Sequence, residues 1–139
     1  VDLGCGSTGG TYEAEELNKE RQFEPWLSRF LHELGIKVVG IDIGNLDKEP
    51  YDHYSVNLLN KDSLSVIDKN SVDAVIISAF YDSPELQKHL KYNYFQQGKN
   101  KIKQILFPQI KDVLKNKGCL IEWDAGEGEI LQRADLGHS

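Results

Sequence analysis

The residues whose types and spacing can do chemistry stand in four places: VDLGCGSTGG at the start of the chain, Asp42, Asn57, and Ser78 to Asp82. Gly4-Cys5-Gly6-Ser7-Thr8-Gly9 satisfies G-x-G-x-x-G, in which missing β-carbons let the backbone bend tightly and approach a ligand closely. Glycines alone do not choose that ligand, because turns collect Gly and Ser for conformational reasons too. Asp2, two positions before the first glycine, is more selective. A carboxylate there repels a pyrophosphate and attracts a positively charged group in a partly dehydrated cleft. Cys5 reads as a small filler whose backbone lines the loop, since no histidine lies near it to activate a thiolate.

The elements that must position these residues follow from periodicity. Val1 to Leu3 reads as the end of a buried strand delivering the glycine loop. Thr11 to Glu24 is polar and reads as an exposed loop or short helix. Pro25 suits a first helical position, and Trp26, Leu27, Phe30, Leu31 and Leu34 predict one apolar face packed on a sheet, with the helix ending at Gly35. KVVGIDIG is a near-continuous β-branched strand with Asp42 at its carboxyl end. A short strand from Tyr54 leaves into a loop at Asn57, and a short helix is expected around Leu64 to Ile67. Ala74 to Ile77 is the strongest strand, followed by Ser78, Ala79, Phe80, Tyr81 and Asp82. A helix can start at Glu85 after Pro84, and Tyr92, Tyr94 and Phe95 form an aromatic cluster before a break at Gly98. Ile102, Ile105, Leu106, Ile110, Val113 and Leu114 predict a helix bent at Pro108 and closed by Gly118. A last strand, Cys119 to Trp123, precedes a polar, loosely attached tail.

Strands alternating with helices imply βαβ units with right-handed crossovers, hence an α/β fold in which a mostly parallel sheet carries helices on both faces. Ligands in such sheets bind outside the carboxyl ends of the strands, where the glycine loop, Asp42, Asn57 and Ser78 to Asp82 are all expected.

The 139 residues, 40% hydrophobic and 27% charged, suit a single globular domain spanning 1–139. The net charge of -6 argues against a surface that grips nucleic acid as a whole. Cys5 and Cys119 have no ligand spacing, so neither a disulfide framework nor a metal site is indicated. No apolar run is long enough to span a bilayer and no signal peptide is visible, which together with the cysteine usage predicts a cytoplasmic location. The start at Val1 without methionine and the short stretch after Trp123 predict a chain truncated at both ends.

The motif Asp2-Leu3-Gly4-Cys5-Gly6-Ser7-Thr8-Gly9 resembles the acid-x-Gly-x-Gly-x-x-Gly signature of class I, Rossmann-like S-adenosylmethionine-dependent methyltransferases. The resemblance continues through Asp42, Asn57, DAVIISAF and VLKNKGCLIEW, in family order. It implies a three-layer αβα sandwich and S-adenosyl-L-methionine as cofactor. The amino-acid end of the cofactor would lie near Asp2 and the backbone of Gly4, Cys5 and Gly6. By the same resemblance Asp42 holds the ribose hydroxyls, Ile43 lies against the adenine, Asn57 accepts from the adenine amine and the Leu58 amide serves the ring. Ser78 is expected among the cofactor-binding residues, and Tyr81 or Asp82 is the candidate general base for an unidentified acceptor, expected to be a small molecule. Three departures stand out. Asp42 lies almost twice as far from the glycine loop as the roughly 20 residues usual in such units. Asn57 replaces the more usual acid, and the family's last two strands do not fit into the tail. The alternatives are an NAD(P)-dependent oxidoreductase, which Asp2 disfavours, and a non-catalytic module keeping the fold. SAFYDSP is not the Asn/Asp-Pro-Pro-aromatic motif of amino-methylating DNA enzymes.

Overall fold

A computed structural model describes residues 1–7, 24–81, 86, 95–124 and 127–137. The expectations for residues 11–23, for a helix starting at Glu85 and for Tyr92 and Tyr94 lie outside these residues, as do Gly9 and Asp82. The chain divides into two compact units, Val1–Leu58 and Leu59–Ser139.

In the first unit, β1 (Asp2–Leu3), β2 (Val39–Asp42) and β3 (Asp52–Ser55) run parallel in the order β3-β2-β1. β1 is short, yet it is secured past its end: the Gly4 and Cys5 amides donate to the Ile41 carbonyl at 2.7 and 3.2 Å. Leu3, Ile41 and Leu46 are fully buried, as expected for apolar runs covered on both faces. The connecting helix α1 (Trp26–Glu33) begins right after Pro25, where the missing N–H costs nothing.

The face that α1 buries differs from the one its apolar stripe predicts. Trp26, Phe30 and Leu34 are 49, 61 and 60% exposed, whereas Ser28 is fully buried. Polar contacts set this rotation: Ser28 bonds to Asp2, and Arg29 makes a bidentate pair with Glu49 in the loop after β2. The His32 ring meets the Tyr51 ring at 6.4 Å.

The second unit holds β4 (Val72–Ser78), α2 (Phe95–Val113), β5 (Leu114–Asp124), β6 (Glu127–Gln132) and a short 3-10 helix (Arg133–Asp135). β4 and β5 are parallel, and β6 is antiparallel to β5. Ile102, Leu106, Ile110 and Val113 repeat at helical spacing, are buried, and lie on the helix that packs on β5. Val75, Ile77, Leu120 and Glu122 form the buried side of β4 and β5.

Three expectations change here. Leu64 to Ile67 forms successive turns rather than a helix, with Ser63, Ser65 and Ile67 amides each donating three residues back. Gly118 does not close α2, which ends at Val113. It sits in an irregularity where β5 advances from Leu114 to Cys119 while β4 advances from Val72 to Ala74. A β-carbon on Gly118 would lie 3.0 Å from the Lys115 carbonyl oxygen of its own strand and from the Val72 carbonyl oxygen of β4, so glycine lets the irregularity close without either backbone giving way. The tail is not loose: it pairs with β5 from Asp124↔Glu127 to Cys119↔Gln132, and Leu136 behind it is fully buried.

β1 with β2, β2 with β3 and β4 with β5 pair in parallel, β5 with β6 antiparallel, and α1 and α2 carry the connections from β1 to β2 and from β4 to β5. The fold is α/β with a mostly parallel, Rossmann-like sheet. No helix among the described residues is long and apolar enough to cross a membrane.

Candidate functional site

The parallel register of the first unit brings the carboxyl ends of three strands together. Asp2 pairs with Gly40 and Leu3 with Ile41, so the glycine loop leaves β1 where Asp42 ends β2. Asp42 pairs in turn with Ser55, two residues before Asn57. The Val56 amide donates to the Asp42 carbonyl at 2.9 Å, which keeps the approach to Asn57 and Leu58 beside that strand end. Asn57 and Ile43 are exposed, and Leu58 is buried.

Asp42 is the junction of this cluster. Its Oδ2 accepts from the Gly6 amide at 3.0 Å and its Oδ1 from the Gly44 amide at 2.9 Å. One carboxylate thereby ties the glycine loop to the turn after β2. Gly4 and Gly6 have φ of 68° and 95°, conformations that a side chain resists, so the glycines are needed for the loop's path.

Asp2 lies deeper, 2% exposed, with Ser28 Oγ donating to its Oδ2 at 2.7 Å. Burial pushes its carboxyl up to about 6, assisted by the negative Asp42 and opposed by the Ser28 hydroxyl. Burial and the two neighbouring acids push the Cys5 thiol up as well, so it stays protonated and is a poor nucleophile. The S–H donates to the Gly6 carbonyl at 3.3 Å, which suits a side chain that shapes the loop.

Sequence reasoning missed Ser28 and Tyr51. Tyr51 is 4% exposed, and among the described residues no side chain or backbone group is placed at good hydrogen-bond geometry to its hydroxyl. Its ring covers Gly40, where an added β-carbon would lie 2.7 Å from Tyr51 Cε2 and 3.1 Å from Cys5 Sγ. Burial raises the phenol's pKa, with the adjacent Cys5 and Glu49 adding to it, and Ser28 is its other polar neighbour. The one sequence signal for Ser28 was a small hydroxyl residue inside the apolar run PWLSRFL, and periodicity assigned that run's burial to its neighbours.

The second unit carries the remaining candidates. Ser78 ends β4, half-buried. Ala79 follows with φ of 53°, held there by its amide bonding to the Trp123 carbonyl at 2.7 Å. Tyr81 is 1% exposed and donates its hydroxyl to Glu122 Oε1, a buried carboxylate on β5 whose Oε2 lies 3.8 Å from Lys103 Nζ. Lys99 and Lys103 ammonium groups sit 5.2 and 5.8 Å from the Tyr81 ring centroid. A phenol so enclosed anchors the chain after β4, and its proton is already committed to Glu122. The other base candidate, Asp82, lies outside the described residues. Among the described residues no group of three or more His, Cys, Asp or Glu able to hold a metal occurs.

The fold and the cluster at the strand ends define a Rossmann-like α/β protein with two carboxylates gathered around a glycine loop. No protein-family model matches the chain, and no curated protein matches it in sequence. Among solved structures it is similar to an S-adenosylmethionine-dependent methyltransferase from Archaeoglobus fulgidus, at 19% identity and a TM-score of 0.45. The likeness covers 87% of this chain and 42% of that one, so the chain spans less than half of that protein's length.

Proposed function

We propose that this chain is the S-adenosyl-L-methionine-binding part of a methyltransferase acting on a small-molecule acceptor. The observation that carries the proposal is the pair of carboxylates, Asp2 and Asp42, at the carboxyl ends of adjacent parallel strands around Gly4 to Gly6. A pyrophosphate needs exposed amides and positive potential. The Gly6 amide is instead bonded to Asp42, and the Asp2 and Asp42 carboxyls are close enough to raise each other's cost of ionising. A cationic amino-acid head and a ribose suit this donor set: Asp2 would face the former and Asp42 the latter, with Ile43, Asn57 and Leu58 serving the adenine.

When bound, the cofactor supplies an activated methyl group on a sulfonium. The protein's contribution is then alignment of the acceptor and exclusion of water. A general base is needed only for an acceptor protonated at neutral pH. Asp82 is the candidate for that role, with Tyr81 holding the loop after β4 through Glu122.

Calorimetry with S-adenosylhomocysteine and, separately, NADH tests the proposal. Heat is expected with the former, and heat with NADH alone would sink the proposal in favour of an oxidoreductase. Asp42→Ala should weaken S-adenosylhomocysteine binding at least about tenfold, since it removes both the ribose acceptor and the support of the Gly6 amide. Binding without turnover across a broad acceptor panel would assign the chain to a non-catalytic binding module.

A further inference from the structure

Ser28 is the fully buried residue of α1, while Trp26 and Phe30 of the same helix are exposed and Leu27 and Leu31 only half-buried. A serine inside a helix commonly returns its hydroxyl to the carbonyl one turn back or turns it to water. Here it donates across to the Asp2 carboxylate of β1, in a buried bond of 2.7 Å between residues 26 apart in sequence. With Asp2 2% exposed, such a donor takes the place of the hydration an ionised carboxylate needs.

We propose that Ser28 is a positioning residue for Asp2: its hydroxyl fixes the carboxylate's orientation and favours its ionised form, and so sets the pH range over which the glycine loop captures a cationic headgroup. The inference rests on the cofactor assignment above. The groups facing Asp2 do not supply an equivalent. Asp42 on β2 opposes its ionisation, and Cys5 in the loop stays protonated. Tyr51, beside Ser28 and Cys5, is a neutral phenol, while Arg29 and Glu49 are paired with each other.

The experiment follows the Asp2 carboxyl by carbon-13 NMR and S-adenosylhomocysteine affinity by calorimetry, over the range from about pH 5.5 to 8.5 that brackets a group titrating near 6. The wild-type chain is compared with Ser28→Ala, Ser28→Thr and Ser28→Ala in a Tyr51→Phe background, which removes the neighbouring phenol as a substitute donor. In Ser28→Ala the Asp2 midpoint should rise by about one pH unit, and affinity should fall about fivefold near pH 6 with the difference closing by about pH 8. Ser28→Thr, which keeps the hydroxyl, should restore the wild-type profile. An unmoved midpoint, or an affinity loss of equal size at every pH, would overturn the proposal. If Ser28→Ala does not fold, Ser28→Cys, a weaker donor of similar shape, should show a smaller shift in the same direction, and no shift overturns the proposal equally. Absence of binding by the wild-type chain at any pH strikes the cofactor assignment instead, while the carboxyl titration still decides whether Ser28 governs Asp2.

Discussion

At the scale of single residues, Asp2 opposes folding at neutral pH. Its carboxyl titrates near 6 in the folded chain against 3.8 for an unperturbed group. A raised acid is penalised above its folded pKa, where it must ionise in a buried site, and the penalty is relieved as pH falls through that value. Between about pH 6 and 4 the folded chain holds a proton that the unfolded chain has lost, so this contribution to stability grows as pH falls. The shift corresponds to a penalty on the order of 3 kcal/mol above pH 7. Asp2→Asn should therefore stabilise the protein at pH 7.5, and the gain should vanish near pH 4. Urea unfolding of both proteins at the two pH values measures this, and an equal difference at both would refute it. The same substitution should weaken S-adenosylhomocysteine binding, the expected trade where a strained group serves a site.

At the scale of elements, close backbone approach does what side-chain packing cannot. β2 lies under the Tyr51 ring and the Cys5 thiol at Gly40, and even a methyl group there must displace one of them. Gly40→Ala is expected to cost roughly 1–3 kcal/mol in chemical denaturation. The turn after β4 stores strain at Ala79, exposed and with φ of 53°. A left-handed conformation costs a non-glycine residue roughly 1–2 kcal/mol, partly offset by the lower chain entropy of alanine when unfolded. Ala79→Gly should raise stability by roughly 0.5–1 kcal/mol on that balance. A loss in the same denaturation experiment would mean that the methyl group makes contacts outweighing the strain.

At the scale of the whole molecule, ligand linkage reports on the cofactor site without an assay of methyl transfer. Free S-adenosylhomocysteine at a hundredfold its Kd should stabilise the folded chain by about 2.7 kcal/mol, read as a concentration-dependent rise in Tm. No rise at saturating ligand would contradict binding by the folded state. The exposed stripe of α1 makes the opposite expectation. Phe30 is 61% exposed, so Phe30→Ser should change stability by no more than about 0.5 kcal/mol, despite removing a large apolar side chain.

The local signals of the sequence were enough for the main strands, the helices before β2 and β5, the parallel pairing, and the placing of Asp2, the glycine loop and Asp42 at neighbouring strand ends. β-branched runs, glycine spacing and a lone acid after an apolar run act over a few residues, and each is visible in a short window. Tertiary structure decided which face α1 buries, because that depends on Ser28 meeting Asp2 and Arg29 meeting Glu49 across many residues of chain. It decided the enclosure of Tyr81 by Glu122, 41 residues away, and the pairing of the polar tail with β5. Hydrogen bonds between distant polar side chains leave no period in the sequence, so the burial of Asp2 and its cost became visible only once the chain was folded.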